Sequence, residues 1–341
     1  MSKFWIAGAT GFLGSHLVKT LSERDHQLVA VSKSGGSVHG HTVAPLDVLD
    51  EAAVTESARG VDGAFLVTGR VSRDRDDAEL LHRDNVLGTE SALRGLRAAG
   101  VKRVVVASTS GTLAVSRDPE RIADESCRSP LEIVARWPYY RTKLYAERAA
   151  LDANRPGEFE VVIVNPSLLL GPGDLRESST GDIRLFLERS IPAVPAGGMA
   201  FVDARDAALG LLQAFERGRA GERYLLNAKN MTIAAFFQRL ERISGVKAPL
   251  MRMPSSRPLA LGLNRMFTKA VEAIGGRAPI DEVSVEMAQY FWYCSSEKAE
   301  RELGFAPRDP GETLRDTIDD LVKRKVVAVP KGSHLGAFAA T

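Results

Sequence analysis

The feature that most constrains this chain is a short apolar run that ends in a glycine turn. Phe4–Ala7 reads as a buried strand, stops at Gly8, and passes through Gly11 and Gly14 into a helical pattern over Phe12–Ser22. At this Gly-x-x-Gly-x-x-Gly spacing each glycine has its own use. Gly8 permits a tight turn, Gly11 lets the backbone approach a ligand closely, and Gly14 lets the helix pack against the strand. A strand that turns directly into a helix opens a parallel βαβ unit, and the helix N-terminus offers free N–H groups to an anion. The turn predicts a site for the pyrophosphate of a dinucleotide, with Gly8, Thr10, Gly11, Phe12, Leu13 and Gly14 as contacts.

The rest of the first half continues the alternation. Strand patterns at Leu28–Val31, Thr42–Leu46, Gly63–Val67, Val104–Ala107 and Glu160–Val164 are separated by helical patterns at Ala52–Ala58, Asn85–Ala99 and Tyr139–Asn154. Continuous β-branched runs between helices are what a parallel sheet covered on both faces requires. The expected fold class is α/β: a Rossmann-type doubly wound parallel sheet with a smaller, mostly helical C-terminal substrate domain.

After Asn165 the prolines at 166, 172, 192 and 195 and the glycines at 171, 173, 197 and 198 mark loops. A helix over Asp203–Arg217 and a strand at Tyr224–Leu226 suggest that 201–228 returns to the first domain, 1–165. The substrate domain then comprises 166–200 and 229–330, with helices at Ile233–Ser244, Ser296–Leu303 and Glu312–Arg324. Within it Pro254–Pro279 reads as a lid or a mobile helix pair. The small, polar tail 331–341 reads as frayed.

Composition excludes other classes. Lys plus Arg total 45 against 43 Asp plus Glu, with no basic run, so no nucleic-acid partner is expected. Two cysteines, Cys127 and Cys294, supply neither a disulfide framework nor a four-cysteine zinc site. With no His partner at motif spacing they read as structural, no metal is expected, and a cytoplasmic setting is the simplest. No apolar run approaches the ~20 residues of a membrane span, and no signal segment is expected.

The end of the second strand bears on the cofactor. An acid there would bind ribose hydroxyls and repel a 2′-phosphate. The sequence has Val31-Ser32-Lys33-Ser34 instead, so Ser32 and Lys33 favour NADP(H), with NAD(H) as the alternative. Asp47 and Val48 are candidates for the adenine edge, although Asp47 equally fits a plain strand-ending carboxylate. The ends of the fourth and sixth strands add Val67, Thr68, Pro166 and Leu168 as cofactor contacts.

Trp137-Pro138-Tyr139-Tyr140-Arg141-Thr142-Lys143 opens a helix. Tyr139 and Lys143 are four apart and share a face, which Tyr140 does not. A neighbouring ammonium lowers a phenol's pKa, so the pair is suited to moving a proton. The fifth strand ends Ala107-Ser108-Thr109-Ser110, where Ser110 lies beyond the apolar run and is favoured over Thr109 to hold a substrate oxygen. The expected catalytic set is Ser110, Tyr139 and Lys143.

These motifs, in this order, resemble an extended short-chain dehydrogenase/reductase of the NAD-dependent epimerase/dehydratase superfamily. The likeness covers nearly the whole chain. It includes Gly8 to Leu17, Asn85-Val86-Leu87-Gly88-Thr89, Ala99 to Val105, Gly171-Pro172-Gly173-Asp174 and Ser296 to Phe305. It implies that Tyr139 is the acid/base, that Lys143 binds the nicotinamide ribose, and that Ser110 polarises the substrate. It also implies a homodimer through the tyrosine-bearing helix and its neighbour.

Asn85 resembles a site-supporting asparagine, though an N-cap fits it as well. With Ser167 and Arg176 it completes the substrate candidates, and His82, Arg83 and Trp137 lie near the expected cleft. Gly111-Thr112-Leu113 after Ser110 lacks the acidic pair usual in dehydratases. Asn165-Pro166-Ser167-Leu168-Leu169-Leu170-Gly171-Pro172 and Asp124-Glu125-Ser126-Cys127 resemble dihydroflavonol reductase-like enzymes. Asn165-Pro166-Ser167 and Phe201 to Asp206 equally resemble proteins named hopanoid-associated sugar epimerases. The resemblance implies an NAD(P)H-dependent reductase or dehydrogenase acting on a small carbonyl or alcohol. An NDP-sugar epimerase with tightly held NAD is the alternative, and a non-catalytic NADP-binding sensor or scaffold a remoter one.

Overall fold

The computed structural model describes residues 1–273, 275 and 280–327. β1 (Lys3–Ala7) leads into α1 (Phe12–Ser22), β2 (Gln27–Ser32), a short β3 (Gly36–Val38), β4 (His41–Pro45), α2 (Glu51–Ser57) and β5 (Gly63–Leu66). One continuous helical stretch follows: α3 (Ala78–Leu81), a π-helical turn His82–Leu87 and α4 (Gly88–Ala98). Then come β6 (Arg103–Ala107), a 3-10 turn Ser110–Thr112, α5 (Leu131–Val134), α6 (Pro138–Ala153) and β7 (Glu160–Pro166). The remainder is β8 (Leu168–Leu170), α7 (Gly181–Leu187), β9 (Gly198–Asp203), α8 (Ala204–Arg217), β10 (Arg223–Leu226) and β11 (Lys229–Thr232). Among the described residues five helices follow: α9 (Ile233–Ser244), α10 (Arg257–Ala273), α11 (Glu282–Met287), α12 (Glu297–Leu303) and α13 (Pro310–Lys323).

The central sheet has eight strands in the order β10-β7-β6-β5-β1-β2-β4-β3. All its pairings are parallel except the β3–β4 hairpin at the edge. Both faces are covered, which is why the strands are apolar throughout. Phe4, Ile6, Phe65, Val105 and Val162 pack on one side with Leu17 and Leu21 of α1 and Leu211 of α8. Trp5, Ala64, Val104, Val106 and Val161 pack on the other with Val54 of α2, Leu96 of α4 and Ala150 of α6. The strand order reverses between β1 and β5, so their carboxyl ends part at a crevice, the usual place for a ligand in such a sheet.

Residues from 168 onward build a second layer around a three-stranded sheet, β11-β9-β8. Its core joins Leu170, Phe186, Phe201, Phe236, Phe237, Leu314 and Ile318. Asp203 joins the two layers. It caps α8 by accepting from the Arg205 N–H and lies between the Arg205 and Arg308 guanidiniums. Meanwhile α8 and β10 lie on the central sheet, β10 pairing with β7.

Several expectations are corrected. The helix read as starting at Asn85 starts at Ala78, so Asn85 lies inside a π-helical turn and is no N-cap. β3, β8, β9 and β11 were not expected; each has three to six residues and little periodicity. Pro254–Pro279 contains one helix, α10, and no helix pair among its described residues. Positions 274 and 276–279, and the tail 331–341, lie outside the described residues. No helix among the described residues is long and apolar enough to cross a membrane.

Candidate active site

The glycine turn is built as its spacing requires. Gly8 has φ +84°, and a Cβ there would lie 2.8 Å from the Val67 carbonyl oxygen and 2.9 Å from Thr68 Cα. This places Val67 and Thr68, at the exit of β5, directly against the turn. A Cβ on Gly14 would meet the Gly8 carbonyl oxygen at 2.0 Å, so α1 can lie this close only with glycine. α1 begins at Phe12 with no side-chain cap and no acid in its first turn. Its first N–H groups are free for an anion, in a field that favours one. The narrow, uncapped turn fits a dinucleotide pyrophosphate.

At the neighbouring strand ends, Ser32 is buried and its hydroxyl donates to the Gly35 carbonyl at 3.3 Å. Lys33 Nζ lies 2.9 Å from Asp47 Oδ2, so the structure brings two candidate cofactor contacts together as a solvent-facing ion pair. Val48 packs against Gly88 at the start of α4.

Tyr139 and Lys143 stand one turn apart on α6, which Pro138 opens at a first-turn position where its missing N–H is harmless. Lys143 is 8% exposed, and its Nζ donates to the Ala107 carbonyl at the end of β6, 2.8 Å away. Burial lowers its pKa to about 8, against the opposing pull of Glu147. Burial pushes the Tyr139 phenol up, and the Tyr140 ring stands against it, 5.0 Å between centroids. This corrects the expectation that the ammonium lowers the phenol. The ammonium is directed at a backbone carbonyl, and desolvation of the phenolate outweighs it.

The hydroxyls after β6 divide by environment. Ser110 is buried, 5% exposed. Thr109, passed over in the sequence, is half-buried at the strand end, where its Oγ1 accepts from the Gly111 N–H at 3.3 Å. Ser108 and Thr112 both donate to Glu147.

The substrate candidates scatter. Asn85 is buried, donates to the Arg70 carbonyl and Thr142 Oγ1, and accepts from the Arg70 N–H. It therefore fixes the loop after β5 against α6 rather than facing a cleft. Ser167 is buried and its hydroxyl donates to Asn227 Oδ1; it lies between Pro166 and Leu168, which end β7 and start β8. Arg176 is exposed, with no hydrogen bond or ion pair among the described residues. His82 and Arg83 are also exposed.

The sequence reading placed Trp137 near the cleft but missed the groups that pack around it. Trp137, 1% exposed, packs with Tyr140, Tyr290 and Trp292. Its Nε1 donates to Glu286 of α11 at 3.3 Å. Arg75, Arg136 and Arg257 converge on the same carboxylate. From the loop after β5, Arg73 reaches Ser284 and Asp182. No motif signals these polar pairings, because all but the Arg257–Glu286 pair join residues 109 to 211 positions apart.

The strand-end turn and the Tyr139–Lys143 pair define an enzyme class built for nicotinamide-dependent redox chemistry. The chain belongs to the NAD dependent epimerase/dehydratase family, whose sequence model matches residues 4–226, and is an extended short-chain dehydrogenase/reductase. It is 33% identical to a Synechocystis protein named "Putative dihydroflavonol 4-reductase", over 92% of this chain and 93% of that one. A Stigmatella aurantiaca protein named "4-hydroxy-2-methyl-3-oxo-4-farnesyl-3,4-dihydroquinoline-1-oxide ketoreductase" is 30% identical, over 89% of this chain and 92% of that one. Among solved structures, PA4631, a nucleoside-diphosphate-sugar epimerase from Pseudomonas aeruginosa, superposes with a TM-score of 0.75 at 24% identity. That alignment covers 96% of this chain and 99% of that one.

Proposed function

We propose that this protein is an NADP(H)-dependent carbonyl reductase in which Tyr139 is the proton donor. The observation that carries the reading is the Tyr139–Lys143 face of α6, with Lys143 anchored to the Ala107 carbonyl at the end of β6, in a sheet whose first strand ends in the glycine turn. When bound, the nicotinamide supplies the hydride for a carbonyl carbon. Gly8, Thr10 and Gly11 with the N–H groups of Phe12, Leu13 and Gly14 hold the pyrophosphate. Val67, Thr68, Pro166 and Leu168 line the cofactor's path, and Lys143 holds the nicotinamide ribose. Lys33 takes a 2′-phosphate in place of Asp47.

A phenol kept protonated by burial suits donation to the oxygen of a carbonyl undergoing reduction. Thr109 or Ser110 steadies that oxygen. We favour Thr109, because it is the less buried of the two. The half-buried rings of Tyr140 and Trp292, backed by the buried Trp137, favour a flat or apolar carbonyl compound over a sugar nucleotide. We also propose a homodimer through α4 and α6, between which lies a groove with Leu93, Tyr145 and Ala149 in its lining and Arg94, Arg148 and Asp152 among its charged residues. The family name and the epimerase fold neighbour keep the NDP-sugar epimerase as the second reading.

The test is purified protein with NADPH or NADH and a panel of aldehydes, ketones and NDP-sugars, followed by nicotinamide absorbance and product analysis. NADPH consumption with a carbonyl is expected. Sugar-nucleotide conversion with no net change in the nicotinamide sinks the reductase reading.

A further inference from the structure

Beneath the tyrosine–lysine pair lies a carboxylate that the proton chemistry leaves unassigned. Glu147 is one turn beyond Lys143 on α6 and is 1% exposed. Its Oε2 accepts from Ser108 Oγ at 2.6 Å, Asn165 Nδ2 at 2.7 Å and Thr112 Oγ1 at 3.0 Å. Its Oε1 lies 2.6 Å from Arg223 Nε of β10, close but not aligned for a hydrogen bond, so that contact is chiefly charge on charge.

These partners come from the exit of β6, the 3-10 turn, the end of β7 and the start of β10. Ser108 and Thr112 bracket Thr109 and Ser110, the two hydroxyls available to a substrate oxygen. A further bond, from Asn165 Nδ2 to the Thr109 carbonyl at 3.1 Å, fastens the same turn. A buried carboxylate persists only when it is paired and hydrogen-bonded. Its oxygens are supplied here almost wholly by groups that set the position of that turn.

We propose that Glu147 is a positioning residue: it fixes the Ser108–Thr112 turn against α6 and supplies the negative charge that Lys143 faces, in competition with Arg223. This rests on the reading of Tyr139 and Lys143 as the reactive pair. Among the described residues, the charged groups around Glu147 are Lys143 on its own helix and Arg223 on β10. The other contacts are two hydroxyls and an amide. Lys143 in turn meets the Ala107 carbonyl and the field of Glu147. Removing the carboxylate leaves the Lys143 ammonium opposed by burial alone, while removing Arg223 leaves Glu147 to Lys143 alone.

The two changes therefore move one titration in opposite directions. The experiment measures NADPH affinity by nicotinamide fluorescence from about pH 7 to about pH 10, across the range where a buried lysine releases its proton. Affinity falls on the alkaline side as Lys143 loses its charge. In Glu147→Gln this fall should begin about one pH unit lower, and in Arg223→Gln it should begin higher. A purely structural role lowers affinity at every pH or leaves the profile in place. Shifts absent, or of the same sign in both variants, overturn the proposal. If Glu147→Gln does not fold, Arg223→Gln decides alone, because its guanidinium reaches solvent and an unmoved profile overturns the pairing. Tyr139→Phe separates the two readings: carbonyl turnover that survives it defeats the reactive-pair reading, whereas its loss beside unmoved profiles defeats only the role of Glu147.

Discussion

The two walls of the crevice are built on different terms. Around the glycine turn and the Tyr139–Lys143 pair, the proposed cofactor side, each part is set within a few residues of sequence. Gly8, Gly11 and Gly14 turn the chain, and Tyr139 reaches Lys143 through one helical turn. On the proposed substrate side the wall is assembled at long range. Glu286 gathers Arg75, Arg136, Arg257 and Trp137 from three stretches of chain, and Arg73 crosses to Asp182. Steric demand fixes the first wall, whereas paired charges and stacked rings hold the second. The lesson is that cofactor geometry tolerates almost no change, while the substrate wall can be retuned one side chain at a time.

The largest effect should come from the turn. Gly14→Val puts side-chain atoms where even a Cβ lies 2.0 Å from the Gly8 carbonyl oxygen, a backbone atom with no room to yield. The variant is expected to lose NADPH binding altogether or to fail to fold, as judged by fluorescence titration and circular dichroism. Wild-type affinity in this variant would mean that α1 does not meet the turn as described. Tyr139→Phe comes next. It keeps the ring against Tyr140 and removes only the proton donor, so activity should fall by about 10²- to 10⁴-fold while NADPH affinity is unchanged.

The sequence pattern reached the central sheet because a strand buried on both faces must be apolar at every position, as Val104–Val106 and Val161–Val164 are. It could not reach β8, β9 and β11, which are short and whose pairings depend on segments brought in from afar. Within the site, glycine spacing and Tyr-x-x-x-Lys are local rules and were readable. The choice between Thr109 and Ser110 was not, because it turns on how far each hydroxyl is buried once the turn is packed. The rise of the Tyr139 phenol escaped for a similar reason: spacing shows which groups are neighbours but not how much water burial removes.

Glu286→Gln probes the long-range wall. It removes the charge that three partly exposed arginines share, at a site where the carboxylate itself is 3% exposed. Breaking a buried pair costs about 3–5 kcal/mol, but these arginines can turn toward water, so about 2 kcal/mol is expected. At about 2.1 cal/mol/K per residue, that corresponds to a melting temperature lowered by about 3 °C for a chain of 341 residues. KM for the carbonyl substrate should rise by roughly tenfold, near 1.4 kcal/mol, with NADPH affinity unchanged. A loss of cofactor affinity instead would show that the two walls are not separable.

The smallest effect falls where the cofactor wall meets solvent. Lys33 and Asp47 form an ion pair at 2.9 Å with side chains 61% and 40% exposed, so their mutual attraction contributes little to stability. Lys33→Ala should leave the melting temperature within about 1 °C of the parent, since exposed pairs contribute about 0–1 kcal/mol. Its effect on binding is selective. A 2′-phosphate gains a charge-assisted bond from Lys33, worth about 1–1.5 kcal/mol at such exposure, whereas a ribose hydroxyl gains almost nothing. NADPH affinity should therefore fall by about five- to tenfold and NADH affinity stay level, with the NADPH loss shrinking as salt is raised. Asp47→Asn gives the reciprocal result: it frees Lys33 from its present partner and should tighten NADPH by a smaller factor. Equal losses for both nicotinamides in Lys33→Ala would mean that Lys33 reads the adenine side in general, and the preference for NADP(H) would then have to rest on other residues.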